Sequence, residues 1–321
     1  MKRTILITSE DIDQAAKDFL VEKGYHLRLV EDDSVDTICK NVGDCCGIIA
    51  RDGQFTKEVF DAAPNLKVLA RHGVGLEIID IPEATAHAVQ VCNTPTANSN
   101  SVAEHTIMLL LACARNLSAV DHGLRTGNWN IRDAFPFQEV SGKTLGIVGF
   151  GRIGQLVAQK AALGFGMNVL FYEPYAAVNQ CPDYTHEEKN LDTLIRSVDF
   201  LTVHVPLTDE TKGLINKERL QLMKDGSVLV NAARGGIVDE EDLQWALREG
   251  KLSSAGLDVF VEEPFENGKA SPLFELENLI ITPHIAAKTH EAMGRMAMEA
   301  AMDVDRVLNG QEPVWPVNHL T

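Results

Sequence analysis

The chain reads as an α/β protein made of two doubly wound parallel-sheet domains joined by long helices. Three observations carry that reading. Short apolar or β-branched runs alternate with helix-period stretches from end to end, the pattern of parallel strands with crossover helices. The alternation is interrupted once, from residue 99 to about 126, by a helical pattern longer than its neighbours. A length of 321 residues also exceeds what one ordinary core accommodates, so two domains are the default.

In the first part, strands are expected at 4–8, 26–30, 47–50, 67–71 and 89–93, with helices between them such as 11–22 and 56–62. The long pattern at 99–126 sets Val102, Ile107, Leu110, Leu111 and Leu117 on its apolar side and is read as a single connecting helix. A polar, aromatic stretch follows at 127–142, including Trp129; it has the character of an arm. The second series places strands at 144–150, 168–173, 200–205, 227–233, 254–259 and 279–282. A last helix is expected at 289–308, capped by Thr289 and ended by Asn309-Gly310. It is longer than a final crossover needs, so it is read as returning to the first domain. The expected domains are therefore 1–98 with 288–321, and 99–287.

The bulk properties exclude several classes. A formal charge of −17 does not suit a binder of nucleic-acid phosphates, which needs clustered Lys and Arg. The longest apolar stretch, 107–114, falls far short of the roughly 20 residues that span a bilayer. The N-terminal apolar run is too short for a signal peptide. The six cysteines show no metal-ligand spacing, and Cys45-Cys46, in the run ending Gly47-Ile48-Ile49-Ala50, reads as a pair of buried strand thiols. No metal site, no membrane and no nucleic acid is expected, and the setting is expected to be reducing and cytoplasmic.

The sharpest local signal is Gly149-Phe150-Gly151-Arg152-Ile153-Gly154. It follows the apolar strand Leu145-Gly146-Ile147-Val148 and opens a helix bearing Ile153, Leu156, Val157 and Ala161, the context a dinucleotide fingerprint requires. Gly149 permits the tight turn, Gly151 lets a pyrophosphate approach the backbone, and Gly154 permits close helix–strand packing. The helix N-terminus presents N–H groups and positive potential to phosphates. The next strand ends in Glu173, nineteen residues past Gly154, close to the ~20 expected of the acid that reads the adenosine ribose. No Lys or Arg follows until Lys189, which favours NAD over its 2′-phosphorylated counterpart.

Three later strands run into polar groups at their carboxyl ends, where open α/β sheets hold ligands. One reaches Asn231-Ala232-Ala233-Arg234-Gly235-Gly236, the next Asp258 and Glu262-Glu263-Pro264, the third Thr282-Pro283-His284. Imidazole titrates near neutrality, so His284 suits an acid/base role. Glu263 is placed to hydrogen-bond and orient it, and Arg234 offers a planar fork matched to a carboxylate. By spacing alone each also fits a structural role: a histidine after Thr-Pro, an arginine ending a strand, a solvated loop acid.

These segments resemble the D-isomer-specific 2-hydroxyacid dehydrogenase family. The similarity runs in order through Arg71-His72-Gly73-Val74-Gly75, Asn93-Thr94-Pro95, Val102-Ala103-Glu104-His105, the fingerprint, Asn231 to Gly236, Leu257-Asp258-Val259-Phe260, Glu263-Pro264 and Thr282-Pro283-His284. The resemblance implies a flavodoxin-like substrate domain beside a Rossmann domain for NAD, closure over a hinge, and a homodimer acting on a small 2-hydroxy or 2-oxo acid. It implies that Arg234 binds the substrate carboxylate, that His284 is the acid/base partnered by Glu263, and that Asp258 holds the nicotinamide carboxamide. Arg152 and Ile153 then touch the pyrophosphate, while Val205, Pro206, Ala232 and Ala233 line the cofactor. The N–H groups of Gly73, Val74 and Gly75 receive the carboxylate. His72, His105 and His204 are read as positional.

Within the family the similarity leans to 3-phosphoglycerate dehydrogenases, in which Arg51 would face the substrate. Against this, Arg51 has Asp52 beside it rather than a second base, and the sequence reads as lacking a regulatory extension beyond Thr321. A plain 2-oxo acid, glyoxylate or hydroxypyruvate reductase stays equally open. Formate dehydrogenases carry Gln where Glu263 stands. An NAD-sensing corepressor on the same fold is the alternative from another class.

Overall fold

The structure is a computed structural model describing residues 3–175, 181–265 and 271–320. It divides into two compact units, Met1–Asn98 with Ala287–Thr321, and Ser99–Ala286.

The first unit begins β1 (Thr4–Ile7), α1 (Gln14–Glu22), β2 (His26–Leu29), α2 (Val35–Val42), β3 (Cys45–Ala50), α3 (Lys57–Asp61), β4 (Val68–Arg71), α4 (Ile81–Ala86) and β5 (Gln90–Cys92). Its five strands are parallel in the order 2-1-3-4-5, that of flavodoxin-like sheets. The inner strands β1, β3 and β4 are covered on both faces, which is why they read as apolar runs, whereas the edge strand β2, His-Leu-Arg-Leu, is largely exposed. Cys45 lies wholly buried in β3, and burial pushes its thiol up to about 11; Cys46 is half-buried.

The second unit holds α5 (Ser99–Ala114), α6 (Leu117–Arg125), β6 (Thr144–Val148), α7 (Arg152–Gln159), β7 (Asn168–Tyr172), β8 (Thr185–Glu187), α8 (Leu191–Ser197), β9 (Phe200–Val203), α9 (Lys217–Leu222), β10 (Ser227–Asn231), α10 (Glu240–Arg248), β11 (Leu252–Leu257) and β12 (Leu279–Ile281). The seven parallel strands run β12-β11-β10-β9-β6-β7-β8. This is the dinucleotide-binding order with one strand added, and it reverses between β6 and β9, where such sheets open a ligand crevice.

The chain then returns to the first unit as α11 (His290–Leu308), with the Thr289 side chain accepting from Ala292 N–H as its cap. Ala297, Ala300, Ala301 and Val304 of α11 share a core with Ala16 and Leu20 of α1 beneath β1, β3 and β4. Buried Asp303 accepts from the N–H groups of Val314 and Trp315, and Val317 N–H donates to Val91 O at 2.8 Å. The tail so covers the free edge of β5, where an exposed strand would invite pairing with another chain.

The structure corrects two expectations. The helix read at 99–126 is two, α5 and α6, bent by 61°. The break falls at Asn116, whose φ of 47° is a left-handed conformation that asparagine tolerates better than most residues. α5 is also no mere connector. Its Ala103, Ile107, Leu109, Leu110 and Cys113 belong to the core of the seven-stranded unit, with Leu145, Ile147 and Val228. The second difference is at the strand ends. The expected strands of the second series end one or two residues too late, and past their ends the backbone leaves the regular ladder: Phe150 N–H donates to Glu173 and Ala233 N–H to the Asn231 side chain, while Gly149, His204, Asp258 and Thr282 N–H still reach a neighbouring backbone carbonyl.

Candidate active site

The dinucleotide fingerprint sits where β6 turns into α7. Gly149 has φ +93°, and a Cβ there would lie 2.7 Å from the backbone carbonyl of His204, so no other residue fits. A Cβ on Gly154 would stand 2.2 Å from Gly149 O, whereas nothing lies within 4 Å of one on Gly151. The turn is thus closed beneath and open above α7, whose N-terminus has no side-chain cap. That is the arrangement that receives a pyrophosphate, and a dinucleotide fits it. Arg152 and Ile153 form the first turn of this helix.

Glu173, one residue past β7, reaches the same loop. Its Oε2 accepts from Phe150 N–H at 2.7 Å and its Oε1 from Tyr175 N–H at 2.9 Å. These two bonds make the carboxylate part of the loop, at the strand end where an acidic reader of the adenosine ribose is expected. Past β9, Val205 is buried against Gly149 and Pro206 is exposed. Half-buried His204 bonds Thr202 and is pushed down to about 4 by burial, so it stays neutral.

Beyond β10, buried Asn231 builds the next turn. Its side chain accepts from Ala233 N–H at 3.0 Å and donates to Arg234 O at 2.9 Å, with buried Ala232 between. This local bonding is what asparagine supplies in turns. It throws Arg234 off the strand end, and the Arg234 guanidinium donates to Ala233 O at 2.7 Å.

Glu263 and His284 meet, although they lie on loops after different strands. His284 Nδ1 donates to Glu263 Oε2 at 2.6 Å, and Glu263 Oε1 accepts from Phe260 N–H at 2.5 Å. His284 has φ +52°, in the left-handed region that residues with a β-carbon adopt uncommonly, histidine more readily than most. Asp258 lies beneath this turn with no exposed surface. Its Oδ1 accepts from Thr282 Oγ1 at 2.5 Å and Ile285 N–H at 2.9 Å, its Oδ2 from Ala286 N–H at 2.8 Å, and His105 Nε2 stands 3.4 Å from Oδ1. Burial pushes the Asp258 carboxyl up. The bonds from His105, Thr282, Ile285 and Ala286 outweigh that and hold it below the ordinary range.

Arg51 and Gly73-Val74-Gly75 belong to the five-stranded unit, at the carboxyl ends of β3 and β4. Arg71 braces the glycine loop: Nε donates to Gly75 O at 2.9 Å, while Nη1 donates to Ala50 O at 3.1 Å and to Arg51 O. Asn93 donates to Val74 O at 3.0 Å, and Gly73 N–H donates to Thr94 Oγ1 at 3.0 Å. The N–H of Gly73 is therefore already used, which corrects its expected part as a carboxylate donor. Those of Val74 and Gly75 have no partner among the described residues. The Arg51 side chain, one-tenth exposed, pairs with Asp11 at 3.0 Å and Asp52 at 3.8 Å. His72 is buried against Met293 O and pushed down to about 4 by burial and by the charges of Arg51 and Arg71.

Sequence reading did not single out Arg71, Asn93, Thr94 and Thr282. Each lay inside a quoted motif, but a bracing role shows only when residues distant in sequence are brought together.

A family model described as the NAD binding domain of D-isomer specific 2-hydroxyacid dehydrogenases matches residues 107–286. The chain is 44% identical over 286 residues to a D-3-phosphoglycerate dehydrogenase of Mycobacterium tuberculosis, covering 89% of this chain and 53% of that one. It thus spans about half the length of the phosphoglycerate dehydrogenases it matches first. It is 39% identical over 300 residues to a hydroxypyruvate reductase of Thermotoga maritima, covering 93% and 96%. Among solved structures it is similar to D-lactate dehydrogenase of Aquifex aeolicus complexed with NAD and lactic acid, with TM-score 0.83, 31% identity, and 99% and 100% coverage.

Proposed function

This chain belongs to the D-isomer specific 2-hydroxyacid dehydrogenase family, and from that premise we propose that it is an NAD-dependent oxidoreductase acting at C2 of a small D-2-hydroxy or 2-oxo acid. The observation that carries the proposal is the 2.6 Å Glu263–His284 pair at the carboxyl edge of the sheet that also bears the fingerprint.

Bound NAD supplies the hydride acceptor or donor. The other tasks fall to side chains. An ionised Glu263 only accepts hydrogen bonds, so His284 carries a proton on Nδ1 and keeps Nε2 for the substrate. In oxidation Nε2 takes the hydroxyl proton; in reduction it returns one to the carbonyl oxygen. Arg234 pairs with the substrate carboxylate and with charge developing on the C2 oxygen. Asp258 fixes the turn that presents His284 and is the acid assigned to the nicotinamide carboxamide. In the five-stranded unit, the N–H groups of Val74 and Gly75 suit a carboxylate oxygen.

We place unphosphorylated 2-oxo acids first as substrates. A phosphate reader needs several cations, and Arg51 has two carboxylates beside it, Asp11 and Asp52, although its buried Nη1 makes no hydrogen bond to either. The hydroxypyruvate reductase relative, matched over nearly its full length, supports this. The phosphoglycerate dehydrogenase relatives favour the second reading, 3-phosphoglycerate. NADH oxidation against glyoxylate, hydroxypyruvate, pyruvate and phenylpyruvate, with NAD reduction by 3-phosphoglycerate alongside, decides between them. Turnover of the phosphorylated substrate alone selects the second reading. Silence with NADH still bound replaces both with a cofactor-sensing role.

We also propose a homodimer in a cytoplasmic setting, without nucleic-acid partners. Exposed Leu117, Leu124, Trp129 and Phe137, on α6 and the segment after it, support a covered face. The six free cysteines suit a reducing compartment, and the net charge of −17 repels nucleic acid. A one-chain mass in sedimentation velocity overturns the dimer.

A further inference from the structure

His284 needs something to hold it. Its left-handed backbone is a conformation that a β-carbon disfavours, and half of its side chain is exposed. The restraint comes from below. The Asp258 carboxylate grips Thr282 on one side of His284 and Ile285 and Ala286 on the other. Asp258 O also accepts from His284 N–H at 2.8 Å.

Two further contacts reach the same turn from α5. Ser101 Oγ donates to Ala286 O at 2.6 Å, and His105 Nε2 lies 2.9 Å from Thr282 Oγ1. Ser101 and His105 are four residues apart, so they share one face of the helix and fasten the two ends of the turn. The Thr282 hydroxyl spends its hydrogen on Asp258 at 2.5 Å. It therefore accepts from His105, which must carry its proton on Nε2. The series His105 to Thr282 to Asp258 runs in one direction, and only a donor at position 105 completes it.

Resting on the assignment of His284 as acid/base, we propose that His105 is a positioning residue for it: through Thr282 and Asp258 it locks the turn that sets Nδ1 against Glu263. His105 touches neither substrate nor cofactor in this role. Its loss slows chemistry while leaving the fingerprint intact.

The test is His105→Leu against His105→Gln, whose amide can donate. In the Leu variant kcat falls by about 30- to 100-fold, the scale of a misplaced catalytic group, with NADH Kd within about twofold of the parent. The deuterium isotope effect with 4-deuterated NADH rises, because chemistry has become slower than product release; a shortage of folded enzyme leaves that ratio unchanged. His105→Gln recovers activity to within about fivefold of the parent, as a retained donor requires. If the Leu variant does not fold, near-isosteric Thr282→Val breaks the same series and carries the same expectation. A kcat within about threefold of the parent overturns the proposal, as does a loss matched by lost NADH-binding sites. His284→Gln is assayed alongside. If it too turns over normally, the acid/base assignment itself has failed; if it is inactive while His105→Leu is normal, only the role of His105 has.

Discussion

Replacing Glu263 by Gln removes one oxygen's charge and one of two acceptors without changing shape. The structure shows why both acceptors matter. Oε1 takes Phe260 N–H at 2.5 Å and Oε2 takes His284 Nδ1–H at 2.6 Å. Glutamine has a single carbonyl, so one of these donors must face an NH2 group. If the carbonyl turns to Phe260, Nδ1 becomes an acceptor and the imidazole proton moves to Nε2, where a base needs a lone pair. If it turns to His284, two donors oppose each other at the Phe260 backbone and the loop is pushed away. Either way a hydrogen bond to a charged group is lost, about 1.5–3 kcal/mol, or roughly 10- to 150-fold in kcat/KM. Oxidation and reduction should fall by the same factor, because the equilibrium constant ties kcat/KM in the two directions once cofactor affinity is unchanged. The assay is kcat/KM in both directions, with NADH Kd from fluorescence titration. Values within about threefold of the parent in both directions would refute the pairing argument, as would an equal loss of NADH affinity.

Other perturbations test separate links. His284→Gln should lower turnover by about 10²- to 10⁴-fold, the contribution of a positioned acid/base, with NADH binding nearly unchanged; equal loss of binding makes His284 structural. Glu173→Ala removes the acceptors of Phe150 and Tyr175 N–H, so NADH affinity should drop about tenfold and the preference over NADPH should shrink. Paired titrations with both cofactors check this, and unchanged rejection of NADPH removes Glu173 from cofactor choice. His72 should make the fold acid-sensitive. The unfolded chain takes up its proton near 6.5, the folded chain only near about 4. Its contribution is constant above the first value and is lost as pH falls towards the second, about 3 kcal/mol in all. Urea unfolding from pH 7.5 to about 4.5 reads the slope, and a His72→Asn variant with the parent's slope counts against this account.

The fold was legible because its central strands are covered on both faces. Full burial writes each central strand as an apolar run, and the helices between supply the alternation. β8 left no such mark. Thr185-His186-Glu187 is a three-residue edge strand, polar because one flank is open. The break at Asn116 left no mark either, since Ala114-Arg115-Asn116-Leu117 contains neither glycine nor proline. The strand ends ran long for a physical reason. Apolar burial continues past the last ladder bond, so hydrophobicity marks the core and not the hydrogen-bonding partner.

The site was legible in proportion to how local its geometry is. The fingerprint is a single turn, and its glycines answer to contacts within a few residues or with the neighbouring strand. Glu173 was found by counting, because β7 has a fixed length. Asp258 could not be read that way, since its partners come from positions 105, 282, 285 and 286. Its geometry also bears on the role the resemblance assigns to it. Oδ1 is filled by Thr282 and Ile285, whereas Oδ2 takes Ala286 N–H alone among the described residues and so has one lone pair to spare. A carboxamide N–H would therefore find its lone pair at Oδ2 rather than Oδ1. On the role the resemblance implies, one carboxylate would both hold the His284 turn and meet the nicotinamide amide, so binding at one of its oxygens would bear directly on the placement of His284.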